Sequence, residues 1–186
     1  ALVLLAAGCS NTVVPPTDPA RPVAAFLLDH GRHASLVLEH ERQLTRYAYG
    51  HRAYYAENRT GALRASGTLF GANAAAIGRK RLASASALAG VRRAVRVPIE
   101  AAWRIDVPGE RAAALSRRLD ALFAEAPGGA RYNPLYDLAF VRHPTPYNLF
   151  NNSNHMTGRW LRALGCRVDM DGPYSIWRVD GATPRR

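Results

Sequence analysis

Two short segments carry the residue types that acyl-transfer chemistry uses. His30-Gly31-Arg32-His33 sets two imidazoles on either side of a Gly-Arg pair, and Asn151-Asn152-Ser153-Asn154-His155 sets a hydroxyl inside a polar run. An imidazole can take the proton of a hydroxyl or thiol and so activate it against a carbonyl. At a helix N-terminus, the positive end of the macrodipole favours the charged form of such a nucleophile. Ser153 as nucleophile and His33 as general base are therefore the candidate pair, provided the fold brings them together. On local grounds the commoner role of a serine there is to cap the helix, its hydroxyl bonding a free N–H of the first turn. A histidine beside a turn more often packs or sits at the surface. His30 and His33 lack the acidic or thiol neighbours of a metal site, and no cofactor is implied.

Those two segments need a strand and a helix to hold them. Val23 to Leu28 is an apolar run suited to a buried strand, and His33 to Glu39 reads as a second one across the Asp29–Arg32 connection. Thr45 to Tyr49 gives a third strand that ends at Gly50-His51. The Ala-rich stretch from Thr68 to Ile77 predicts a short helix, and Ala94 to Ile99 and Trp103 to Val107 predict strands. Pro108-Gly109-Glu110 opens the clearest helix, running to about Ala126, with Leu115, Leu119, Leu122 and Phe123 on one stripe and Pro127-Gly128-Gly129 as its stop. Met156, Trp160, Leu161 and Leu164 mark a late helix that begins at or just after Ser153 and ends at Gly165. Tyr174 to Val179 supplies a last strand. The expected class is α+β, an antiparallel sheet packed with helices.

Three segments together resemble an uncharacterised bacterial envelope family, sometimes labelled urease-associated. His30-Gly31-Arg32-His33-Ala34-Ser35-Leu36-Val37 looks like its H-G-W-H-T-G-[IL]-V, and Tyr49-Gly50-His51-Arg52-Ala53-Tyr54-Tyr55 is similar to its G-W-G-D-x-x-F-Y. Phe150 to Thr157, followed by Leu161-Arg162-Ala163-Leu164-Gly165, resembles its F-N-T-C-N-T-W-T and L-R-x-A-G. The order and approximate spacing hold from Phe26 to Val168. That family looks like a circularly permuted member of the papain-like group, which includes cell-wall peptidases and lipid acyltransferases. The resemblance implies a hydrolase or acyltransferase with His33 as base, position 153 as nucleophile and position 51 as the orienting group. Ser153 stands where the family has cysteine, and His51 where it has aspartate. A hydroxyl depends on its base and oxyanion hole far more than a thiolate does. A non-catalytic binding domain that retains the groove is therefore the other reading.

The N-terminal segment speaks to location. Ala1 to Gly8 is a short apolar run ending in small residues, and Ala6-Ala7-Gly8-Cys9 looks like the lipobox of bacterial lipoproteins. Residues 1–9 then read as the end of a signal peptide with Cys9 as the lipidation site. Residues 10–22, with Pro15, Pro16, Pro19 and Pro22, read as an extended tether, and residues 23–186 as a single domain. The implied location is the cell envelope, on the outer membrane or the periplasmic face of a membrane. Cys166 has no partner if Cys9 carries lipid, and reads as a buried packing residue.

The net charge is +11, and Arg59, Arg64, Arg79, Lys80, Arg81, Arg92, Arg93 and Arg96 fall in a stretch without an acidic residue. For an exported chain such a field suits anionic lipid or a cell-wall polymer better than nucleic acid. Arg79, Lys80, Arg81, Arg92 and Arg93 are the expected membrane-surface residues.

Overall fold

The computed structural model describes residues 10–55, 73–82, 87–170 and 176–184. The Cys9 assignment, the first half of the Ala-rich stretch and Tyr174-Ser175 lie outside the described residues.

Seven strands build the main sheet: β2 (Pro22–Asp29), β3 (Ala34–His40), β4 (Gln43–His51), β5 (Asn73–Leu82), β6 (Ala101–Pro108), β7 (Arg131–Asn133) and β8 (Leu138–Tyr147). Their order is β6-β2-β3-β4-β5-β8-β7, with every pairing antiparallel. A three-stranded sheet sets β1 (Asn11–Val14) between β9 (Arg167–Met170) and β10 (Trp177–Val179). Four helices are described: α1 (Arg52–Tyr55), α2 (Leu88–Ala94), α3 (Gly109–Ala124) and α4 (Ser153–Ala163). The class is mixed α+β, mostly antiparallel sheet with a few helices.

Period-two alternation divides each strand of the main sheet between two faces. Leu36 and Leu38 of β3, Tyr47 and Tyr49 of β4, Ile77 of β5 and Trp103 and Ile105 of β6 point to the face that α3 and α4 cover. Leu115 and Leu119 of α3 and Met156, Trp160 and Leu161 of α4 complete that core. These are the two helical stripes expected from the sequence. The opposite face carries two smaller clusters. Phe26, Leu28 and Val37 pack under Val91 and Val95 at one end, and Ala48, Ala76, Leu138 and Phe140 pack together at the other.

The β2–β3 hairpin turns through Gly31, whose φ of +87° suits glycine, and a Cβ there would collide with the Glu100 carboxylate. The Asp29 carboxylate accepts the Gly31 N–H at 2.8 Å, which fixes the turn.

Several expectations need correction. Asn11–Val14 is no tether: Val13 is fully buried, and its strand pairs on both sides, so β1 belongs to the fold. The apolar Val13 gains more by burial than a free chain would keep in entropy. Asn73–Ile77 is strand, not helix, because ladder bonding to β4 and β8 on both sides outweighs the helix preference of its alanines. Val95–Ile99 is irregular chain after α2 rather than a strand.

Candidate functional site

The start of α4 is built from consecutive polar residues. Asn152 is the N-cap, its Oδ1 accepting from the backbone N–H groups of Asn154 and His155 at 2.9 and 3.1 Å. The same oxygen lies 2.9 Å from His155 Nδ1, so that nitrogen carries the proton. Ser153 is therefore the first helical residue and not the cap, a correction to the capping expectation. Its side chain is buried, at 4 % exposure. On the same helix-bearing face stand Tyr49 and Tyr147, stacked at 5.9 Å, with the His143 ring edge-on to Tyr49 at 5.0 Å. The Tyr49 hydroxyl donates to the Thr145 and Pro146 carbonyls and accepts from Asn151 Nδ2 at 3.0 Å.

His51 belongs to this same face, two residues beyond Tyr49 on β4. Its ring meets Tyr147 edge-on at 5.7 Å, and its Nδ1 accepts the Tyr54 N–H, which ties down α1.

His33 lies on the other side of the sheet. Its ring stacks on His30 at 4.9 Å and meets Tyr136 edge-on at 6.2 Å, and Tyr136 packs on the outer cluster of Ala48 and Phe140. Ser35 and Arg46, which alternate with the inward Leu36 and Tyr47, share that outer face. His30 Nδ1 donates to the Pro98 carbonyl at 2.6 Å, which leaves Nε2 bare. Nε2 then accepts from the Ser35 hydroxyl at 2.8 Å and from Arg46 Nη2 at 3.3 Å. Arg46, only 1 % exposed, also donates Nε–H to Ser35 Oγ and Nη1–H to the Tyr136 carbonyl, both at 3.1 Å. Burial, with the Arg46 charge second, lowers His30 to about 3 and His33 to about 4. Both rings are neutral in ordinary buffers.

The proposed catalytic set is thus divided. Ser153 and His51 stand on the helix-bearing face and His33 on the opposite one, so His33 cannot take the Ser153 proton and His51 cannot orient His33. The physical reason is parity: Leu36 packs under α4, and a residue an odd number of positions from it, such as His33, leans the other way. Ser153 Oγ makes no hydrogen bond to any described histidine. His143 is the buried histidine that sequence reading missed, and its signal was weak because Pro144 and Pro146 interrupt the strand pattern around it. Its Nδ1 accepts the Thr145 N–H at 3.1 Å, and burial lowers its pKa.

The expected membrane-facing stripe is also divided. Arg79 reaches Asp120 Oδ1 at 2.8 Å with its guanidinium 4.1 Å above the Phe123 ring, on the helix-bearing face. Lys80, one residue on, pairs with the buried Asp137 on the outer face. Arg92 donates to the Ile99 carbonyl at 3.2 Å, while Arg81 and Arg93 are exposed. Consecutive strand residues cannot present one basic surface. Cys166 is buried as expected, and burial pushes its thiol up to about 11.

Arginines do converge elsewhere. A cleft of about 300 Å³ near the β7 edge is lined by Arg52, Arg131 and Arg142 together with Ala76, Phe140, Val141 and the 127–129 turn. Among the described residues, no helix is long and apolar enough to cross a membrane. No family model, no curated protein and no solved structure matches this chain.

Proposed function

We propose that this chain is a lipid-anchored protein of the bacterial envelope whose domain, a circularly permuted relative of the papain-like fold, binds a ligand without hydrolysing it. The observation that carries the non-catalytic reading is the seven-stranded sheet lying between Ser153 and His33. A serine hydroxyl needs a base within hydrogen-bond reach to attack an amide or ester. Among the described residues Ser153, buried at the head of α4, bonds to no histidine, while His30 serves a buried polar network and His33 stacks on it. The family resemblance around His30–Val37, Tyr49–Tyr55 and Phe150–Gly165 supports the fold assignment, and Ser153 in the cysteine position agrees with lost chemistry.

The anchor rests on Ala6-Ala7-Gly8-Cys9. Only Ser10 separates Cys9 from β1, so an acylated Cys9 would hold the domain against the bilayer rather than at the end of a tether.

A fluorophosphonate probe tests the central claim. Wild type and Ser153→Ala are expected to show the same absence of labelling. Labelling of wild type that vanishes in Ser153→Ala would restore the hydrolase or acyltransferase reading. In parallel, a fatty-acid analogue should label wild type and spare Cys9→Ala, and equal labelling of both would remove the anchor.

A further inference from the structure

The main sheet ends in two unlike strands. β7 closes one edge with three residues, too few to template another chain, whereas β6 runs for eight residues at the other edge. Among the described residues no strand pairs with the far side of β6. Main-chain donors and acceptors are therefore presented along Ala101–Pro108, the feature that invites strand addition. Such edges are commonly defended by lysines, by proline inside the strand or by a bulge. β6 uses none of these: its pairing with β2 runs unbroken from Ala101 to Pro108, and Pro108 is its last residue.

Its two charges are of opposite sign. Arg104 and Asp106 alternate with the inward Trp103, Ile105 and Val107, so both stand on the outer face. They lie 3.0 Å apart, and their side chains are 50 % and 53 % exposed. Water screens such a pair and leaves room beside it for another.

We propose that β6 pairs with β6 of a second copy, antiparallel about a two-fold axis at Ile105, so that one sheet runs through a dimer. Residues directly opposite in a continuous antiparallel sheet share a face, so the axis must pass through a residue and not between two. With the axis at Ile105, Arg104 lies opposite Asp106 of the second copy, and Asp106 lies opposite its Arg104. The pair within each strand is kept, and four charges alternate in sign around a rectangle. On the helix-bearing face Trp103 meets Val107 of the second copy, an aromatic and β-branched pair. An axis one residue earlier would set Arg104 against Arg104 of the second copy. One residue later would set Asp106 against its counterpart. Charge thus selects one register over its neighbours. The contact is isologous and closes at two copies, so the edge is used up and does not propagate. Two eight-residue strands bury less than a standard interface, so this dimer exchanges with monomer. It depends neither on what Ser153 does nor on what the domain binds.

The experiment is sedimentation equilibrium of the full chain in a density-matched detergent, from about 5 to about 200 µM. Wild type is compared with Asp106→Arg, with Arg104→Asp, with an equimolar mixture of those two, and with the exchange Arg104→Asp/Asp106→Arg. Each single reversal turns both cross-strand pairs into like-charge pairs, and is expected to weaken the dimer by about tenfold or more. The mixture restores opposite charges at every cross-strand position, and so does the exchange, so both are expected to regain the wild-type association. Far-UV circular dichroism of every variant shows whether it folds, and the regained association of the mixture requires that both single variants do. A wild type that stays monomeric over this range overturns the proposal. Single variants that associate like wild type place any dimer on another surface, and a mixture or exchange that remains monomeric removes the Ile105 register.

Discussion

The two faces of the main sheet solve burial in different ways. The helix-bearing face is closed by apolar contact: Leu36, Leu38, Ile77 and Trp103 meet Leu115, Leu119, Met156 and Trp160. The outer face holds a buried cation, Arg46, whose described hydrogen bonds run to neutral groups: a hydroxyl, a carbonyl and an imidazole. Apolar packing is indifferent to pH and forgiving in direction, whereas a buried guanidinium requires each neighbour in one protonation state and one orientation. The helix-bearing face keeps its charge at the margin, where Arg79 and the Tyr47 hydroxyl meet Asp120, whereas the outer face buries its cation. The helix face, where the family resemblance set a nucleophile, is organised for packing.

The largest effect expected from this contrast is on the helix face. Trp160 is 1 % exposed at the centre of the α4 stripe, and Trp160→Ala should cost about 3–5 kcal/mol in urea unfolding at unchanged m. A loss well below that range would mean that α4 is not the main cover of this face.

A smaller effect should mark the outer face, and it depends on pH. His30 and His33 have folded pKa values of about 3 and about 4, lowered by burial first and by Arg46 second, against an ordinary value of 6.5. The unfolded chain therefore takes up these protons before the folded one does. Stability from this source is complete above about pH 6.5 and falls as the pH drops toward 4. Partial exposure of the rings tempers its size. His30→Gln removes one titrating ring and lessens the fall, while carboxylate titration is common to both proteins. Unfolding curves of wild type and His30→Gln between pH 7 and pH 4.5 measure the difference. Parallel curves would mean that the pair is neutral for some reason other than the fold.

What the sequence revealed, and what it hid, follows the same division. The stripes of α3 and α4 were legible because Leu115, Leu119, Leu122 and Phe123, and Met156, Trp160 and Leu161, repeat with the helical period over long spans. The β2–β3 hairpin was legible from two apolar runs around a polar connection. β5 was not, since Ala74, Ala75 and Ala76 favour helix in isolation, and only pairing to β4 and β8 makes them strand. β8 was hidden by Pro144 and Pro146, which fall where its register with β5 shifts between Ala75 and Asn73. The candidate site failed on a finer point. The residue types in the His30 and Asn151 segments were visible, but the face each occupies depends on which side of β3 the helices cover. No local pattern states that. The cleft lined by Arg52, Arg131 and Arg142 was out of reach for the same reason, because α1, β7 and β8 are far apart in sequence and meet only through the sheet order.

The smallest expected effect concerns the residue that sequence reading singled out. Asn152, not Ser153, supplies the oxygen that accepts from the Asn154 and His155 N–H groups at the head of α4. Asn152→Ala removes that acceptor from two donors of the first helical turn and is expected to cost about 0.5–2 kcal/mol. Ser153→Ala deletes one buried hydroxyl that caps nothing, at a position that alanine suits as the first residue of a helix. Its cost should be less than that of Asn152→Ala, measured side by side by urea unfolding. Should the order reverse, the Ser153 hydroxyl would be making an interaction that matters to the fold, and the start of α4 would need to be redrawn with serine as its anchor. Should both changes prove silent, the helix would be held by its apolar face alone. The polar run from Asn151 to His155 would then owe its character to something other than capping.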